Sequence, residues 1–123
     1  MRREWFPRDP TGVGADPDYR FTLANERTFL AWVRTALALA AGGLAAVTIL
    51  DDFPGEEGLG IALLVLAFLT SATAYRRWAL NERAMRLDEP LPRSRLPLYM
   101  AIAVAIVAVA AAVLLVIDQT RSV

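Results

Sequence analysis

The sequence predicts an all-α integral membrane protein with three transmembrane helices, the second extended into the cytoplasm. Two observations carry this. Apolar residues make up 56% of the 123 residues and mean hydropathy is +0.40, above what a soluble domain shows. Three apolar runs also approach the ~20 residues that a helix needs to cross a ~30 Å hydrocarbon core. At this length the chain is one domain, expected as a tail over 1–17, a three-helix unit over 18–118 and a short external tail over 119–123.

Residues 1–17 are rich in Pro, Gly and charge, without an apolar run. They read as a flexible cytoplasmic tail with an interfacial touch from Trp5 and Phe6. The first apolar run begins near residue 28 and is long, so it is expected to stay as an anchor rather than be removed as a signal peptide.

Helix 1 is expected over about 24–50. Thr22 to Asn25 offer acceptable N-caps, and Glu26 in the first turn suits the positive end of the helix dipole. Arg20, Arg27 and Arg34 are spaced by seven and share one face within about 20°. Ala24, Ala31, Ala38, Ala41 and Ala45 fall on that face, with Gly42 at its edge. The other sides carry Phe21, Phe29, Trp32, Leu37, Leu39 and Leu44, which suit lipid or bulky partners. Small residues allow close helix approach in membranes. Several copies meeting along this stripe would set Arg27 and Arg34 in two positive rings about 10 Å apart along the axis. Alternatively Arg34, only a turn or so below the start of the apolar run, snorkels back to the headgroups. Glu26 points about 100° from Arg27 and is free to meet a cation from another helix or subunit.

The turn over 51–58 is acidic, contains Pro54, Gly55 and Gly58, and holds no basic residue. Helix 2 follows over about 59–88. It is apolar to Tyr75 and then continues as a wet extension until Pro90 stops it. Thr70, Ser71 and Thr73 are expected to bond their own backbone or a neighbouring helix. Residues 76–95 hold Arg76, Arg77, Arg83, Arg86, Arg93 and Arg95 against Glu82, Asp88 and Glu89. Such a cluster fixes topology or touches anionic headgroups, and its sharper reading is a vestibule that gathers polyanions. Leu80-Asn81-Glu82-Arg83 echoes Ala24-Asn25-Glu26-Arg27, three letters of weak repeat evidence. Helix 3, over about 96–117, carries no buried polar group and reads as structural or lipid-facing. The Arg distribution puts the N-terminus and second loop in the cytoplasm, and the acidic turn and C-terminus outside.

Lys, His and Cys are absent. This removes thiol catalysis, the usual general base, Schiff-base chemistry and the Walker A lysine. No catalytic residue, metal site or cofactor is expected, and a formal net charge of zero gives no sign of nucleic acid.

The run from Leu23 to Ala38, LANERTFLAWVRTALA, resembles the signature of the YidH-like bacterial inner-membrane family, domain of unknown function 202. The likeness covers about residues 18–118 and is specific only in the first helix. That family in turn resembles the membrane module of the eukaryotic vacuolar transporter chaperone complex, which makes and translocates polyphosphate. There an ANERTFL-type helix lines an oligomeric channel with basic rings. Carried over, the resemblance implies anion-facing roles for Arg20, Glu26 and Arg27, and for one of Arg76, Arg77 or Arg83. The chain departs from that complex in having no polymerase or phosphate-sensing domain, so synthesis is not implied. Two functions are weighed: an oligomeric conduit for anions or polyphosphate in the lipid bilayer, and an accessory subunit packed on a partner membrane protein. Three helices enclose too little space for a wide pore, so a conduit requires a homo-oligomer.

Overall fold

Glycine and alanine, rather than large apolar side chains, decide how the helices meet. A computed structural model describes residues 9–50 and 52–123. Asp51 of the acidic turn and the expected touch of Trp5 and Phe6 lie outside the described residues. A 3-10 helix at Pro10–Gly12 precedes α1 (Tyr19–Ile49), α2 (Glu56–Arg86) and α3 (Leu96–Arg121). All three α-helices are long and apolar enough to cross a membrane, and no strand occurs among the described residues.

Helix α1 starts earlier than expected, because Asp18 rather than Thr22 or Asn25 caps it. The Asp18 carboxylate accepts from the Arg20 amide at 3.0 Å, satisfying a donor that the first turn leaves open. Its 31 residues measure about 46 Å, more than a ~30 Å hydrocarbon core, so the Tyr19–Thr28 end projects from the apolar zone. Helix α2, also 31 residues, runs antiparallel beside it. It starts at Glu56, because Gly55 takes the left-handed conformation before it, φ +78°. It ends at Arg86, short of the expected residue 88. There Asp88 turns left-handed, φ +53°, while the Asp88 and Glu89 amides donate back to the Met85 and Ala84 carbonyls. That closure satisfies carbonyls which the last turn would otherwise leave open.

The α1–α2 crossing is built on Gly43 and Gly60. A Cβ on Gly43 would lie 2.9 Å from the Gly60 carbonyl oxygen, and one on Gly60 would run into Val47. Ala36 and Ala46 of α1 and Ala67 and Ala74 of α2 continue the buried seam. Close backbone approach of this kind is how membrane helices gain dispersion contact where lipid removes the hydrophobic drive. The seam lies on the side of α1 opposite the Arg20/Arg27/Arg34 stripe, so α1 carries two small-residue faces and the hairpin uses only one. Phe29, Trp32 and Leu39 border it and are partly covered, whereas Leu37 and Leu44 stay exposed.

Among the described residues, helix α3 packs on α2 and not on α1. Met100 is its one buried residue, with its sulfur 3.2 Å from the Thr70 hydroxyl, which also donates to the Leu66 carbonyl at 2.7 Å. Leu114 touches the turn at Gly55. Thr73 likewise bonds back to Leu69. The rest of α3 is a bare apolar surface that runs on to Arg121, past the expected end at 117.

The stretch expected to be free, residues 1–17, is docked over 9–17. The Arg86 guanidinium donates to the carbonyls of Val13 (2.8 Å) and Thr11 (2.9 Å) and meets the Asp16 carboxylate at 2.8 Å. The Ala15 amide donates to the Arg86 carbonyl at 3.1 Å. Gly14, at φ +64°, passes so close to that carbonyl that a Cβ there would overlap it. Asp9 caps the 3-10 helix, accepting from the Thr11 hydroxyl and amide. These bonds, the hydroxyl's foremost, hold its carboxyl below the ordinary aspartate value.

Candidate functional site

Two polar districts lie toward the Arg-rich end of the hairpin. The first is the α1 face turned away from α2. Arg20, Arg27 and Arg34 are all exposed there, along with Ala24, Ala31, Ala38 and Ala41. The register fixed by Thr22 opposite Glu82 and Gly43 opposite Gly60 puts Arg34 level with about Thr70, inside the apolar zone of both helices. Among the described residues neither Arg27 nor Arg34 forms a hydrogen bond or ion pair, while Arg20 lies 6.0 Å from the Tyr19 ring. Glu26 is exposed beside a groove shared with Phe29, Tyr75 and Trp78 and has no ion-pair partner among the described residues. Among the described residues Arg27 and Arg34 therefore keep their donors open, and the stripe stands clear of α2 and α3.

The second district is the projecting end of the hairpin, where the echoed motifs face one another. Asn25 donates to the Trp78 carbonyl at 3.1 Å and accepts from Asn81 at 3.4 Å. Thr22 donates to Glu82 at 3.4 Å. Glu82 is buried, 4% exposed, and its second oxygen meets no donor among the described residues. Glu26 and Glu82 occupy equivalent places in the echo yet end in opposite environments. Among the expected basic cluster, Arg83 is exposed and Arg86 is occupied by the tail. Arg77 lies over the Trp32 ring at 5.9 Å, and Trp78 packs against Phe29 at 6.3 Å and Tyr75 at 6.0 Å. Arg76 and Arg77 border a pocket that also takes Arg93 and Arg95 from the loop before α3. Among the described residues no cluster of acidic side chains could hold a metal.

The strap made by Arg86 does not show in the charge pattern, because two of its three partners are backbone carbonyls. The Gly43–Gly60 crossing was present in the sequence only as glycines within or beside apolar runs, with nothing to pair them.

A family model described as domain of unknown function (DUF202) matches residues 20–84, which span the Arg face of α1 and most of α2. The chain belongs to this family. It is 49% identical over 109 residues to "Uncharacterized protein Rv2272" of Mycobacterium tuberculosis, covering 86% of this chain and 89% of that one. It is 47% identical over 83 residues to "Inner membrane protein YidH" of Escherichia coli, covering 65% and 72%. Neither name carries an enzymatic activity. No solved structure matches. The DUF202 chain described here is thus a YidH-like membrane protein with three spans.

Proposed function

We propose that this DUF202 protein is a non-enzymatic homo-oligomer of the bacterial inner membrane, its N-terminus cytoplasmic and its C-terminus external. In this reading the α1 Arg faces of several copies surround a path for anions, polyphosphate at the extreme. The observation that carries it is Arg34: exposed, without a partner among the described residues, and on the membrane-spanning part of α1 away from α2. An Arg at a helix centre in lipid costs about 2.5–3.5 kcal/mol on insertion scales, and a water-filled path between copies removes that cost. The alanines flanking it allow those copies to approach. The absence of Lys, His and Cys supports a non-enzymatic role, and the resemblance to the polyphosphate complex supports the choice of permeant.

A second reading, an accessory subunit, is favoured by α3, which is exposed on nearly every side. The test is flux of chloride, phosphate and short-chain polyphosphate into liposomes by wild type, Arg27→Ala and Arg34→Ala. Flux that falls or changes selectivity in the variants, with assembly intact, supports the conduit. A folded, oligomeric wild type without flux overturns it and leaves the accessory reading.

A further inference from the structure

Four arginines lie around the start of α3. Arg76 and Arg77 come from the point where the apolar run of α2 ends, and Arg93 and Arg95 from the loop that leads into α3. These four residues line a pocket of about 220 Å³ whose lining also includes Ser94 and Tyr99 and contains no acidic side chain. The acids of the same loop are segregated elsewhere: Asp88 and Glu89 line a separate groove with Asp16 and Asp18. Four like charges facing one cavity repel one another, and an anion that enters it relieves that repulsion. Guanidinium forks match the oxygens of a phosphate in geometry as well as charge.

The pocket's depth narrows the ligand. Trp32 beneath Arg77, Trp78 packed on Tyr75, and Tyr99 in the lining form the kind of aromatic level that marks a bilayer's headgroup boundary. The positive end of the α3 dipole adds to the field there. We infer that this pocket binds a phosphoryl group at headgroup depth, borne either by an anionic phospholipid or by free phosphate. The site lies apart from the α1 stripe, although Arg76 and Arg77 are among the positions that the resemblance ties to a conduit, and its test reads binding rather than flux. Arg93 and Arg95 are its discriminating members, because they are exposed loop residues.

The test uses the full chain in neutral detergent and follows intrinsic Trp fluorescence and thermal unfolding. It is titrated with dioctanoyl phosphatidic acid, with inorganic phosphate, and with sodium chloride at matched ionic strength. A saturable response to either phosphoryl probe, absent with chloride and weakened tenfold or more in Arg93→Ala/Arg95→Ala, is the expected result. A response to the lipid alone assigns the headgroup, and one to inorganic phosphate assigns the free anion. Absence of any saturable response overturns the site, as does one that chloride reproduces or that the variant retains. The single variant Arg93→Gln, which removes one charge from the loop alone, gives the same reading should the double variant fold poorly.

Discussion

The side-chain amide of Asn81 donates to the side-chain oxygen of Asn25 across 3.4 Å, joining the two Asn-Glu-Arg triplets of the chain face to face. Asn25 spends its own donor on the Trp78 carbonyl at 3.1 Å. The pair ties the two helices together at the projecting end of the hairpin, some distance from the glycine crossing. A double-mutant cycle of Asn25→Ala and Asn81→Ala, measured by unfolding in detergent, is expected to give a coupling near the ~0.6 kcal/mol average for interhelical hydrogen bonds in membranes, below the ~1.7 kcal/mol maximum. The single Asn25→Ala change should cost more than Asn81→Ala, because it also removes the bond to the Trp78 carbonyl.

Gly60→Ala places a methyl group against Val47 and 2.9 Å from the Gly43 carbonyl oxygen. The cost expected is about 1–3 kcal/mol, typical of overpacking. Val47→Ala in the same chain should recover only part of it, since the backbone contact persists. Thermal unfolding of the wild type, Gly60→Ala and the double variant checks this ordering.

Arg86→Ala should release residues 9–17. The two carbonyl bonds are charge-assisted and Arg86 is only 12% exposed, so about 1.5–3 kcal/mol of docking is at stake. The ion pair itself adds little, because Asp16 is 88% exposed and solvent screens it. Hydrogen exchange at the Ala15 amide should accelerate by about ten- to a hundredfold. Arg86→Lys should not rescue it, because an ammonium lacks the fork that reaches both carbonyls. Gly14→Ala should give the same release by a different route, through strain at φ +64° and overlap with the Arg86 carbonyl.

Arg34→Leu separates stability from activity. Replacing an exposed guanidinium on an apolar helix should favour insertion of the monomer by about 3 kcal/mol, read as an increased inserted fraction in a glycosylation-mapping assay. If Arg34 lines a path, flux falls in the same variant that inserts better.

The three helices, their order and the acidic and Arg-rich connections were legible, because span length and hydropathy are local properties. Helix starts were less so: Asp18, Thr22 and Asn25 are all competent caps, and only tertiary structure shows that Asn25 is needed by Trp78 instead. The Arg20/Arg27/Arg34 face was legible from its spacing, and its exposure follows from the α2 seam lying on the opposite side. Which small-residue face α2 would choose was not legible. Both faces are rich in alanine, and the choice turns on whether a glycine on α2 meets one on α1. The docking of residues 9–17 was not legible, because their composition is that of a loop. That docking depends on one guanidinium and one left-handed glycine, a pattern that hydropathy does not register.

The Arg86 strap also orders events during synthesis. Residues 9–17 leave the ribosome long before residue 86 does, and chains fold as they emerge. The glycine crossing at Gly43 and Gly60 can therefore form while the N-terminal segment still lacks its anchorage. The segment closes only when the last turn of α2 has been made, and α3 then follows onto a hairpin that is already complete. A chain interrupted before residue 86 would carry the whole crossing but leave residues 9–17 unfastened.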